Sequence, residues 1–410
     1  MSGKDCEKGR REFLKKSMAG VAGVSLMPSF LKGEGKIKGE TKDEVIKKII
    51  YRTLGRTGIE VPLISLSPPN NPNLLQAALD SGIIHLDTAH RYGGGAHETM
   101  IGNVLNGRPR DSFVVATKLL GLRDNRTGLP PENISAAEFR ADFRKMLDIS
   151  LNRLQMDYVD VLYLHGVENT ELIGLQMVKD VMLELKEEGK TRFLGTSFHH
   201  KELELISATV KEKVYDVILT TYNFRQPHRE EVRKAIAYAA KAGLGVVGMK
   251  VMAGAYWDKE RKHPINAKAA LKWVLQDENL HTIIPGISTF DQLELDMSVM
   301  EDLTLTPKEL EDLKLDQKTG MNGLYCAQCG RCRSQCCYNL DIPTVMRSYM
   351  YAYGYQNPAK AKTTLQQKQR ENITCRGCST CAVSCTMGFD VSNKIQDVIR
   401  VLDIPNEFLV

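Results

Sequence analysis

Nine cysteines crowded into one short stretch of a 410-residue chain constrain its fold more than any other feature. Cys326-x2-Cys329-x2-Cys332-x3-Cys336 recurs 49 residues on as Cys375-x2-Cys378-x2-Cys381-x3-Cys385, an internal duplication. Cys337 adjoins the first motif, and only Cys6 lies elsewhere. A disulfide framework spreads over a secreted fold or defines a short chain; it does not leave most of a long chain without a cysteine. Thiols packed this densely point to metal.

The four-Cys motif with its three-residue final gap resembles the bacterial-type two-cluster ferredoxin. There three close thiolates wrap one 4Fe-4S cubane and the fourth reaches across to the other cluster. The resemblance implies Cys326, Cys329, Cys332 and Cys385 on one cluster, and Cys375, Cys378, Cys381 and Cys336 on the other. Zinc is the alternative, since thiolates at two-residue gaps also suit a tetrahedral ion. The Pro usual after the fourth Cys is replaced by Cys337 in one motif and Thr386 in the other, and Cys337 could serve in place of Cys336. Between the motifs, residues 342–374 read as helical, with Pro343 near the start and Gly354 and Pro358 as breaks. That resembles helical ferredoxin modules.

Upstream, short apolar runs alternate with amphipathic segments. The strand-like runs are Pro62–Ser67, Ile83–Ala89, Phe113–Lys118, Val159–His165, Arg192–Ser197, Asp216–Tyr222, Gly245–Lys250 and His281–Ile287. They are nearly continuous in apolar residues, as parallel strands covered on both faces should be. Helical spacing marks Ala136–Leu154, Leu172–Leu185 and Val232–Ala240, and Gly82, Gly189 and Gly243 stand where helices should stop. Eight such units predict an α/β fold, a (β/α)8 TIM barrel, with a small, mainly helical iron-sulfur domain after it. A doubly wound sheet is the rival, but no Gly-x-Gly-x-x-Gly opens a helix after the first strand.

In such a barrel, chemistry gathers at the C-terminal strand ends. Those ends carry Asp87, Lys118, His165, Ser197 and Lys250, with Tyr92 in the loop just after strand 2. Taken singly, each is a solubilising charge or a satisfied His; together they predict an active site.

Leu54-Gly55-Arg56-Thr57-Gly58, Asp87-Thr88-Ala89-His90-Arg91-Tyr92-Gly93 with Glu98, Ala116-Thr117-Lys118 and Asp160-Val161-Leu162-Tyr163-Leu164-His165 resemble the aldo-keto reductase family over about residues 51–305. The resemblance implies a catalytic tetrad of Asp87, Tyr92, Lys118 and His165, an NADP or NAD cofactor, and interconversion of an aldehyde or ketone with an alcohol. Carbonyl reduction needs a hydride on carbon and a proton on oxygen. Tyr is a poor acid at neutral pH, with a reference pKa of about 10. A neighbouring Lys118 ammonium should lower it, with Asp87 holding that Lys charged, while His165 orients the carbonyl oxygen.

On the cofactor side the resemblance implies Ser197, His199, Tyr222, Lys250, Gly286, Ser288 and Gln292 as dinucleotide contacts. His199 departs from the usual Asn, Leu219 from a common Gln, and Met249 from a common stacking Tyr. Gly286 and Gln292 replace the Lys and Arg that often clamp a 2′-phosphate, so the charge-assisted bonds that favour NADP are missing. Tyr256 and Trp257 are candidates for a substrate wall or for loop packing, and His90 and Arg91 flank the site.

Arg10-Arg11-Glu12-Phe13-Leu14-Lys15-Lys16 followed by the modest apolar stretch Met18–Met27 has the layout of a twin-arginine export leader. It predicts export to the periplasm; a solvated basic tail on a cytoplasmic protein is the alternative. Residues 1–48 hold 12 Lys and Arg against 7 Asp and Glu, the whole of the chain's net +5. The folded body is thus neutral, which gives nucleic-acid binding no support, and no apolar run reaches membrane-spanning length. The expected division is 1–48 leader and linker, 49–318 barrel and 319–410 ferredoxin-like domain. Two further readings stand beside the reductase. One is an electron carrier whose barrel is a docking body for a redox partner; the other makes the clusters structural staples. Clusters move single electrons whereas nicotinamide gives a hydride, and no flavin motif links the two.

Overall fold

The structure is a computed structural model describing residues 49–410, apart from 68, 70, 125–126, 339, 369–377, 379–380 and 410. The leader therefore lies outside the described residues, as does Cys375. The chain opens with β1 (Tyr51–Thr53) and β2 (Glu60–Pro62), an antiparallel hairpin. Gly55 of its turn packs on Gly245, the first residue of a barrel strand, so closely that a Cβ there would lie 2.3 Å from the Gly245 nitrogen. The hairpin thus floors the barrel at the strands' N-terminal ends, leaving the opposite mouth for chemistry.

Seven strands follow in one parallel sheet, in chain order: β3 (His85–Asp87), β4 (Val114–Leu119), β5 (Val159–Leu164), β6 (Thr191–Phe198), β7 (Val217–Thr221), β8 (Gly245–Met249) and β9 (Thr282–Ile283). The sheet's two edges meet through the stretch expected as the first strand. Ile64 bridges to Ile283, Leu66 to Leu86 and Ser67 to Gly286, all parallel. That eighth stave consists of single bridges rather than a continuous ladder.

The crossovers carry α1 (Pro72–Asp80), α2 (Ala96–Leu105), α3 (Ala136–Leu154), α4 (Thr170–Gly174), α5 (Gln176–Glu187), α6 (Glu202–Glu212), α7 (Arg229–Lys241), α8 (Ala267–Leu275) and α9 (Phe290–Glu301). α3 has its expected bounds because Ser135 and Glu138 form a reciprocal capping box. The expected helix over Leu172–Leu185 is instead two, parted at Leu175, whose extended backbone ends α4 and starts α5. Gly82, Gly189 and Gly243 adopt φ of +90°, +73° and +85°, the left-handed conformation that closes a helix and costs other residues strain.

Two apolar layers hold the barrel. Strand outer faces pack on the helices through residues such as Leu86, Leu162, Phe139, Phe143 and Val181. The bore is filled by Val61, Val114, Ala116, Val161, Tyr163, Val217, Leu219, Val247, Met249 and Ile284. Leu219 and Met249 are thus bore packing.

After α10 (Pro307–Asp312) and α11 (Leu315–Thr319), the first cysteine motif runs without regular structure. It leads into α12 (Ile342–Tyr349), a π-helical turn (Met350–Gly354), α13 (Pro358–Lys368) and, past the second motif, α14 (Val391–Ile399). The core of this region joins Ile342, Met346, Tyr349, Leu365 and Ile395 to Phe224, Trp257 and Ala270 of the barrel. The C-terminal region therefore sits on the barrel mouth by a shared hydrophobic core, each large buried side chain contributing roughly 1.5–3 kcal/mol. Trp257 is only 2 % exposed, edge-on to Phe224 at 6.2 Å and beneath the Arg225 guanidinium at 4.8 Å. Of its two sequence readings, loop packing is the one realised.

Candidate active site

The barrel brings the expected tetrad to one place. Asp87 ends β3, Lys118 lies near the end of β4, His165 follows β5, and Tyr92 opens a tight 3-10 turn just past β3. Asp87 and Lys118 are buried and form an ion pair, and the Lys118 ammonium also donates to the Thr88 carbonyl at 2.6 Å. That ammonium lies 5.2 Å from the centre of the Tyr92 ring. The His165 ring stands edge-on to Tyr92 at 6.0 Å. Asp87 Oδ2 and His165 Nδ1 are buried polar atoms with no hydrogen-bond partner among the described residues.

The electrostatics depart from expectation in one respect. The Tyr92 phenol is held well above its ordinary pKa, by burial first and then by the Asp87 charge. Burial, Asp87 and Tyr351 together outweigh the lowering that the sequence leads one to expect from Lys118. Burial also holds His165 well below its ordinary range, with Lys118 and Arg123 adding to the effect. Neutral phenol, neutral imidazole and a paired Lys–Asp make an arrangement able to donate a proton.

The expected cofactor residues divide into three groups. Gly286 and Ser288 lie exposed beside the start of α9, where Gln292 accepts from the Ser288 backbone N–H at 2.7 Å. The start of α9 is capped in this arrangement, Thr289 Oγ1 accepting from the Gln292 N–H at 3.2 Å. Ser197 is buried at the end of β6, its hydroxyl accepting from the Gly166 N–H at 3.2 Å. His199 and Lys250 stay at the mouth. Tyr222 does not: it packs on Trp273 of α8 at 5.2 Å within the strand–helix layer, so its assignment to the cofactor is corrected to core. It follows β7 in a phase that turns it outward, and Thr221 takes the inward place.

His199, Thr221 and Lys250 border a cavity whose other wall comes from beyond the barrel: Tyr325, Cys326, Gln328, Arg347 and Met350. The cavity is small and partly open to solvent. The C-terminal region thus closes over the side of the mouth that carries His199 and Lys250. Sequence reasoning missed this wall, since nothing in the spacing of residues 325–350 announces that they close the mouth. Of the other candidates, His90 Nδ1 pairs with Ser150 of α3 at 2.9 Å, Arg91 is exposed, and Tyr256 accepts from Arg261 at 3.0 Å.

The cysteines behave as the crossed pattern implies for one set. Cys326, Cys329, Cys332 and Cys385 line a single cavity, although Cys385 comes from the second motif. Gln328 N–H donates to Cys326 Sγ and Met387 N–H to Cys385 Sγ, each at 3.4 Å, the kind of contact that tunes a cluster. Four thiols from the two motifs around one cavity are the donor set that the crossed ferredoxin pattern uses for a cubane. For the second set, Cys337 Sγ lies 3.7 Å from Cys378 Sγ. Cys336 is half-buried against the C-terminal core.

Comparison with known proteins agrees with this geometry. Residues 60–268 match the model of the aldo/keto reductase family, and residues 325–390 that of a 4Fe-4S dicluster domain. The L-galactose dehydrogenase of Arabidopsis thaliana is 28 % identical over 66 % of this chain and 92 % of its own length. A D-threo-aldose 1-dehydrogenase of Pseudomonas is 27 % identical over 47 % of this chain and 67 % of its own. Among solved structures, a holo-form aldo-keto reductase from Bacillus halodurans superposes with a TM-score of 0.52 at 23 % identity, covering 65 % of this chain and 96 % of that one. An aldo-keto reductase from Klebsiella pneumoniae in complex with NADPH gives 0.51 at 22 %, over 65 % and 95 %. These two likenesses speak for the fold. The chain belongs to the aldo/keto reductase family, an oxidoreductase whose barrel is followed by a 4Fe-4S dicluster domain.

Proposed function

We propose that the protein interconverts a carbonyl compound and its alcohol at the mouth of the barrel, with Tyr92 as the proton donor and acceptor. The observation that carries this reading is the buried Asp87–Lys118 pair beside Tyr92 and His165. His165, kept neutral by burial, would hydrogen-bond the carbonyl oxygen, and Tyr92 would pass its proton to that oxygen as the bond order falls. Asp87 and Lys118 fix the charge balance beneath the phenol. The relatives that act on sugars, by their names, make aldoses the first substrates to try.

Family membership implies a nicotinamide dinucleotide as hydride carrier, NADPH or NADH. Its phosphates would rest beside Gly286, Ser288 and Gln292. The iron-sulfur domain would bring a redox partner, and the twin-arginine leader would place the enzyme in the periplasm. An exported enzyme has no free NAD(P)H pool to draw on, so its nucleotide should stay bound and be regenerated in place. The test is to isolate the exported protein, denature it and assay released nucleotide, and in parallel to assay carbonyl turnover. Bound nucleotide with turnover that Tyr92→Phe abolishes is the expected result. An empty barrel that still fails to bind added NADPH or NADH would end the nicotinamide reading.

A second reading, the cluster domain as electron carrier, is favoured by one fact: Cys326 belongs both to the thiol cavity and to the wall of the mouth. Reducing the clusters and adding a carbonyl substrate separates the two. Reoxidation seen by absorbance would support electron traffic, and a stable reduced spectrum would favour a structural role.

A further inference from the structure

Lys360, on α13, holds its ammonium 4.4 Å from the centre of the Tyr92 ring and 5.1 Å from that of Tyr351. Lys250, just past β8, reaches the Tyr351 ring from 4.5 Å, and Lys118 lies 5.2 Å from Tyr92. Three ammonium groups thus surround two tyrosine rings at the barrel mouth. The Arg347 side chain borders the same cavity as Lys250.

Negative charge there is scarce. Asp87 is engaged by Lys118, and Glu98 by Thr117 and Arg153. Among the described residues, Lys250, Lys360 and Arg347 have no carboxylate partner. Arg347 donates only to neutral oxygens, Gln328 Oε1 and Thr344 Oγ1, each at 3.3 Å. Ring faces attract a cation but do not neutralise it. Cations crowded together at a half-buried site attract a counter-charge or give up protons more easily. Lys360 accordingly has its pKa lowered to about 8, by burial first and then by Lys250 and Lys118, effects that together outweigh the opposing pull of Tyr351 and of Asp87, itself already paired with Lys118. His165 Nδ1 and His199 Nδ1 add buried polar atoms without partners at the same mouth.

We propose that the substrate of this enzyme carries a carboxylate, seated on Lys360 with Lys250 and Arg347, so that the C-terminal domain supplies part of the substrate site. The word substrate rests on the carbonyl–alcohol reading; the anion seat does not, and it can be measured without turnover. A carboxylate there supplies the missing counter-charge, and the guanidinium can meet it with two parallel hydrogen bonds. Its charge would fix which end of the molecule faces Tyr92. The rival use for these cations is to offset the charge of the nearby cluster. Against it, Cys326 and Cys385 already accept backbone N–H donors, and the Lys360 ammonium stands over the phenol of the tetrad.

The experiment uses the full, cluster-loaded chain with succinate as probe and succinamide as its neutral analogue, read by thermal shift and calorimetry. Succinate should raise Tm and succinamide should not. Lys360→Met should weaken succinate binding at least tenfold, Lys360→Arg should restore most of it, and the exposed Lys241→Met should change nothing. Retained cluster absorbance in each variant shows that it is folded, and should Lys360→Met not fold, Lys250→Met gives the same reading. Equal responses to the two probes, or succinate binding untouched by both lysine variants, would overturn the proposal. So would a Lys360→Met chain whose only change is a shifted cluster midpoint potential. A chain that binds succinate through Lys360 yet never turns over a carbonyl would sink the reductase reading and leave the anion seat standing.

Discussion

Lys118 directs its ammonium to Asp87 and to the carbonyl of Thr88, and not to the hydroxyl of Tyr92, although it lies 5.2 Å from the centre of that ring. The pair therefore stabilises the fold around the phenol as well as the site itself. Removing one partner of a buried pair strands the other charge, at a cost of about 3–5 kcal/mol. Asp87→Asn and Lys118→Met should each lower Tm by several degrees and abolish turnover together with it. Chemical denaturation of the two variants and the double variant gives the coupling, and singles as stable as the parent would contradict the burial seen here.

Tyr92→Phe is expected to behave differently. The ring keeps its packing against His97 and His165 and loses only the hydroxyl that gives the proton. Carbonyl turnover should fall by roughly 10²–10⁴, the usual worth of positioned acid catalysis, with Tm nearly unchanged. Retained turnover would move the proton donor elsewhere in the site.

The cysteines give a prediction that spacing alone would set the other way. Cys337 touches Cys378, so Cys337→Ser should lower iron from about eight to about four per chain, the content of two cubanes and of one. Cys336→Ser should leave it near the full value. Iron and sulfide assays on anaerobically isolated protein decide the matter, and the reverse pattern would restore Cys336 as the ligand.

Why some of this was legible in the chain and some was not has a physical basis. Asp87, Lys118 and His165 could be placed from sequence because a parallel strand covered on both faces reads as an apolar run, and its C-terminal end is then fixed. Tyr222 was misplaced because one residue of phase past a strand end decides between bore and outer layer, and local pattern does not record it. Lys360, Tyr351 and Arg347 were invisible as site residues. Their role depends on how a second domain sits on the first, through a core shared by Phe224, Trp257 and Tyr349, and no periodicity encodes that docking.

Asp296 offers a test of the fold away from the site. It sits on α9 and is 5 % exposed, and burial raises its pKa from 3.8 to about 8. The folded chain therefore keeps a proton that the unfolded chain releases near pH 4. A carboxyl whose folded pKa is raised favours the folded state fully below its unfolded pKa, and that contribution is lost as pH climbs through the window from about 4 to about 8. Each unit of difference is worth about 1.4 kcal/mol. Asp296→Asn, which cannot ionise, should match the parent near pH 4 and exceed it by a widening margin toward pH 8. Urea midpoints of the two chains across that range supply the measurement, and a constant gap at every pH would show that the carboxyl is ionised in the folded protein.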